Sequence, residues 1–225
     1  MIMETGKLIQ LLTEDCEPVR PLPPPWTRTA EWLAIGLAYV VLVVMVVSPR
    51  ADLGAKIFEW RFAVEQVSAL ATASAAAVAA FALIIPGCSR KFLALPLLSS
   101  FIWFVILSQA YVQDHIRESA QLEPGALTSH PGWYCFLAIV LVGLVPAIVM
   151  TMMLRSGAPR RLRLTAALGG LAAAALGGFG LRFFCPQDAS STVLVWQFGT
   201  VCMLSVLAGC AGRQVLKDRR KALRA

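Results

Sequence analysis

Six cysteines and two histidines are the side chains of this 225-residue chain best suited to redox or soft-metal chemistry. Cys135 stands in HPGWYCFL and Cys185 in LRFFCPQD, with His130 five residues ahead of Cys135. Thiolates favour soft ions, and an imidazole nitrogen can complete such a ligand set. Two thiols on an oxidising side can instead close a disulfide, provided their Cα atoms approach to about 4.4–6.8 Å. Cys135 and Cys185 are therefore the candidate sensing pair, and the same two with His130 are the candidate metal ligands. From the residues alone, a redox or soft-metal sensor and a static structural disulfide fit equally well. The other four cysteines, Cys16, Cys88, Cys202 and Cys210, read as small buried or idle thiols on the reducing side or within the apolar runs.

Enzyme signatures do not accompany these residues. The sequence holds no GxSxG, HExxH, phosphate-binding glycine loop or CxxC motif, so nucleophilic, zinc-dependent and nucleotide-dependent catalysis lose their usual markers. No cofactor is expected beyond transient capture of a heavy metal at the cysteine pair. A membrane thiol-disulfide oxidoreductase or a small-solute transporter is the alternative to a non-enzymatic role.

The elements that must position the pair are membrane spans. The chain is 58% hydrophobic and 15% charged, with a mean hydropathy of +0.70, well away from the balance of a soluble domain. The apolar residues fall into six runs, over 32–47, 66–86, 92–112, 133–153, 164–184 and 193–211. Each is close to the roughly 20 residues that cross a bilayer as a helix. The fold class expected is an all-α integral membrane protein, a six-transmembrane-helix bundle. Residues 1–31 form an acidic, proline-rich arm, 32–212 the membrane domain and 213–225 a basic tail. The arm lacks a continuous apolar stretch with a small-residue cleavage site, so it does not read as a signal peptide.

Orientation follows from the Lys and Arg count. The arm carries three, the turn after the second span two, the turn after the fourth span four and the tail six, leaving five for the other side. The basic side is cytoplasmic by the positive-inside rule, which puts both termini inside. The net charge of +7 is then a topology signal, and no direct nucleic-acid contact is expected. Cys135 precedes Arg155 by 20 residues and Cys185 follows Arg163 by 22. At 1.5 Å per residue both thiols stand roughly 30–33 Å above the inner surface. The short turn between the fourth and fifth spans makes these spans antiparallel neighbours. His115 and His130 fall in one outer loop.

Span interiors read as free of acids, bases and histidine, unlike the interiors of ion-coupled transporters. Their small-residue stripes, Ala71, Ala75 and Ala79, and Gly170, Ala174 and Gly178, suit close helix packing in lipid.

The arm opposes the basic trend of its side. Residues 1–31 hold five acids and three bases. Leu8, Ile9, Leu11 and Leu12 make a short apolar stripe, and Glu14, Asp15 and Glu17 follow it. EPVRPLPPPW is held extended by its prolines. Acids beside an anionic leaflet are repelled toward the cytoplasm. Such a segment suits a basic, grooved partner and equally a tail with an interfacial helix.

These stretches carry a resemblance. LIQLLTEDCEPVRPLPPP in the arm, SPRADL after the first span, PGC after the second, and the pair GWYC and FCPQD resemble the NrsF-type anti-sigma-F factors of proteobacteria along nearly the whole chain. The resemblance implies a multi-pass inner-membrane protein that holds an extracytoplasmic-function (ECF) sigma factor inactive. It implies that Leu8, Leu11, Leu12, Glu14, Asp15 and Glu17 lie in the sigma-binding segment. It also implies that Cys135 and Cys185 respond to oxidants or heavy metals.

Overall fold

A computed structural model describes residues 6–7, 23–47, 53–85, 91–120, 133–156, 161–184 and 199–222. The described residues form helices and turns, with no strand among them. The helices are α1 (Pro25–Val47), α2 (Leu53–Lys56), α3 (Trp60–Ala82), α4 (Lys91–Ala120), α5 (Trp133–Arg155), α6 (Leu162–Leu181) and α7 (Gly199–Ala222). Four stretches are long and apolar enough to cross a membrane: Pro25–Val47, Trp60–Ala82, Phe92–Gln109 and Leu162–Leu181. Ile139–Arg155 and Val201–Ala211 are shorter apolar helices.

Several helix ends differ from the hydropathy reading, for local reasons. α1 begins at Pro25 rather than at residue 32. A proline is well placed at the first helical position, where its missing N–H has no partner to lose. The Pro24 carbonyl accepts from the Arg28 N–H (3.4 Å) and from Thr27 Oγ1 (2.8 Å), which closes the first turn. α3 begins at Trp60, six residues ahead of the apolar run, and so takes Arg61 and Glu65 into the helix. α4 continues through Ala120, so His115 sits on helical backbone rather than in a loop. α7 continues through Ala222 and carries much of the basic tail as helix. In the arm, the described Gly6 and Lys7 are helical.

α6 is the centre of the bundle. It packs along α3, α5 and α7; α3 also packs along α4, and α1 lies against α3 and α5. The contacts fix the directions. On α5 and α6, Ile139 meets Gly177 and Met150 meets Gly169, so these helices are antiparallel as expected. α7 is antiparallel to α6, with Ala208 against Gly170 and Gly209 against Ala167. α1 is antiparallel to α5, since Arg28 reaches Met153 and Tyr39 reaches Leu141.

Close approach depends on small residues. A Cβ on Gly177 would lie 2.7 Å from the Ile139 carbonyl oxygen and 3.2 Å from the Gly143 nitrogen. Backbone meets backbone there, and no side chain could swing aside. The core is otherwise built largely of alanine: Ala69, Ala73, Ala76, Ala77 and Ala80 on α3, and Ala172 to Ala175 on α6. The stripe expected on α3 is offset from this face. Ala71 is exposed and Ala75 half-buried, and only Ala79 is in the core. Large apolar side chains point outward instead, among them Met45, Val46, Leu97, Phe101, Leu141, Met152 and Val206. An oily outside around a small-residue inside is the pattern of helices packed in lipid.

Candidate functional site

Cys135 is the third residue of α5, one turn ahead of Ile139. Ile139 is fully buried and packs with Leu181 and Phe184, the latter adjacent in sequence to Cys185. The start of α5 and the end of α6 therefore share one end of the bundle. Cys185 and His130 lie outside the described residues, as do Leu8, Leu11, Leu12, Glu14, Asp15 and Glu17 of the arm. Cys16 and Cys88 also lie outside them. Cys202 and Cys210 are free thiols on the exposed face of α7. Among the described residues there is no group of three His, Cys, Asp or Glu side chains that could hold a metal.

The same end holds a charge pair that the hydropathy reading missed. Arg182, at the C-terminal cap of α6, donates from Nη2 to Glu65 Oε2 of α3 at 2.9 Å. The side chains are only 14% and 10% exposed. Phe183, next to Arg182 in sequence, packs edge-on to Phe62 of α3, with ring centroids 6.0 Å apart, and Phe179 lies 5.2 Å from it. Gln66, next on α3, is also buried. Glu65 stands one residue ahead of the apolar run over 66–86, so α3 carries an acid at the border of that run rather than in its interior. An acid is accommodated there because a second helix brings a guanidinium to it. Two buried charges offset each other's desolvation only when held at hydrogen-bond distance. The signal was present in the sequence: Glu65 and Arg182 each border a long apolar run, and alternating spans bring those borders to the same side.

The opposite end is organised by Arg28. This residue is 6% exposed although it belongs to the first turn of α1. Its Nη2 donates to the Met153 carbonyl and to Ser156 Oγ, the latter at 2.9 Å. Ser156 Oγ donates to the same Met153 carbonyl at 2.6 Å. The guanidinium carbon lies 4.7 Å from the centroid of the Phe81 ring on α3, in the range of a cation–π contact. Met153 O is one of the last four carbonyls of α5, which have no donor within their own helix. A positive charge also suits the partial negative charge of a helix C-terminus. Higher along α1, Trp32 is fully buried and donates from Nε1 to the Pro146 carbonyl at 2.9 Å, and Tyr39 Oη donates to the Leu141 carbonyl at 3.3 Å. α1 is thus bonded to α5 at three levels.

The arrangement offers no assembled catalytic constellation among the described residues. It offers a lipid-compatible bundle with an ion pair near the cysteine positions and, at the other end, a buried cation where the arm enters. Neither a search of curated proteins nor one of solved structures gives a match. A family model described as "Negative regulator of sigma F" (NrsF) matches residues 12–217. That match runs from within the arm into the last long helix, and the chain belongs to the NrsF family of negative regulators of sigma F.

Proposed function

We propose that this anti-sigma factor crosses the bacterial inner membrane six times with both termini in the cytoplasm and holds an ECF sigma factor through the arm of residues 1–31, with the sigma contacts falling within Leu8–Arg20. The observation that carries this reading is the family match, which begins at residue 12 and so takes in residues 12–31 of the arm. Alternating helix directions and outward-facing apolar side chains support six crossings. The Lys and Arg asymmetry supports the orientation. The stripe of Leu8, Leu11 and Leu12 would occupy an apolar groove on sigma. Glu14, Asp15 and Glu17 would face its basic surface, which otherwise meets nucleic acid. The family is regulatory rather than an enzyme class, which sets the oxidoreductase and transporter alternatives behind this reading.

Cys135 and Cys185 are the proposed sensor. Oxidation to a disulfide, or capture of a soft metal with His130 as a third donor, would change how the outer ends of α5 and α6 pack. A bundle with two arrangements would then present the arm differently and release sigma. A pull-down from membranes tests the holding step. Sigma should be retained by the full chain and lost when residues 1–25 are deleted. Retention by the deleted protein would contradict the role given to the arm.

A further inference from the structure

A signal at the cysteine end must cross the bundle to reach the arm, and the contacts of α1 indicate the route. α6 is enclosed by three helices, α3, α5 and α7, so it is the least free to shift. α5 is different. It begins beside the cysteine end, with Cys135 as its third residue. It ends at Met153 and Ser156, where Arg28 holds the root of the arm. Between these points Pro146 interrupts it. Proline has no N–H, so the Val142 carbonyl loses its helical donor and the helix can bend there. Trp32 and Tyr39 hold α1 to the Pro146 and Leu141 carbonyls, so α1 is bonded on both sides of Val142.

We infer that α5 is the lever between the cysteine end and the N-terminal arm, and that Arg28 is the positioning residue joining the arm's root to it. The inference rests on the sigma-holding and cysteine-sensing reading above. Arg28 suits a joint better than a fixed brace. Its hydrogen-bond partners are neutral, a carbonyl and a hydroxyl, and the adjacent end of α5 carries further carbonyls with no donor within their own helix. A shift of α5 can therefore move the guanidinium or pass it to another acceptor without stranding a carboxylate. Phe81 keeps the cation over its ring during that movement. The ion pair at the other end joins α3 to α6.

The test uses the full-length protein in its native membrane. Arg28→Met removes the charge and donors while keeping the stem. Three readouts are taken with and without oxidant: a sigma-dependent reporter, the thiol state of Cys135 and Cys185, and the rate at which Cys16 in the arm is alkylated. In Arg28→Met, repression without oxidant should persist, and Cys135 and Cys185 should oxidise as in the parent. Induction and the change in Cys16 labelling should fall about tenfold, within the usual range of coupling between sites. Arg28→Lys, which keeps a charge and donors, should recover part of both. Induction and Cys16 labelling equal to the parent's, at equal protein level, would overturn the lever. Should Arg28→Met not accumulate, Tyr39→Phe with Ser156→Ala loosens the same joint without touching the buried charge and is read by the same outcomes. Cys135→Ser with Cys185→Ser separates the two levels. Induction lost there but normal in Arg28→Met overturns the lever alone, whereas induction unchanged in the cysteine variant overturns the sensing reading beneath it.

Discussion

The two ends of this bundle each draw an arginine largely out of solvent, and they satisfy it in different ways. At the cysteine end Arg182 meets a carboxylate, Glu65, at 2.9 Å, and the pair ties α6 to α3, as does the Phe62–Phe183 ring contact. At the arm end Arg28 meets a carbonyl, a hydroxyl and a ring face, from α5 and α3. An ion pair is an exacting support, since either partner left alone is a stranded charge. A cation on a helix-terminal carbonyl and a hydroxyl is more forgiving, because neither acceptor is left as an unpaired charge when the contact lengthens. The first arrangement suits a fixed reference and the second a joint, which matches the sensing and delivering roles proposed for the two ends.

Breaking the fixed end should have the largest effect. Glu65→Ala leaves Arg182 buried without its carboxylate and should lower stability by about 3–5 kcal/mol, measured as a loss of thermal stability in detergent and of membrane accumulation. Glu65→Met together with Arg182→Met should recover most of that loss, because replacing a whole buried pair by apolar groups is far milder than halving it. A smaller effect is expected at the α5–α6 seam. Gly177→Ala places a methyl 2.7 Å from a backbone oxygen and should cost about 1–3 kcal/mol, read in the same thermal assay. Trp32→Phe keeps most of the packing but removes the bond to the Pro146 carbonyl, for about 1 kcal/mol. It should also weaken induction in the reporter, which a change at the fixed end with equal stability loss should not. Thr27→Ala, at an exposed first turn, should stay within about 0.5 kcal/mol and leave the reporter unchanged.

Much of this was legible in the sequence. Apolar runs locate helices well, because only a helix satisfies its own backbone in lipid. The antiparallel neighbourhood of α5 and α6 followed from their short turn. Helix ends were less legible, since hydropathy marks where a run is oily and not where hydrogen bonding starts. Pro25 opens α1 within a stretch that its prolines made look extended. Trp60 opens α3 early enough to bury Glu65, and the acid is tolerated only because Arg182 arrives from a helix more than a hundred residues away. The buried face of α3 was also not readable from spacing, because alanine occurs on every side of that helix and any stripe can be drawn. Arg28 counted toward topology as a charge beside the membrane. Its burial depends on the end of α5, which no local pattern reveals.

The central claim is that Cys135 and Cys185 sense and the arm delivers. The most direct measurement is a sigma-dependent reporter in cells carrying Cys135→Ser with Cys185→Ser, with and without oxidant or cadmium. The account predicts that repression persists and induction disappears. Induction unchanged from the parent would contradict it.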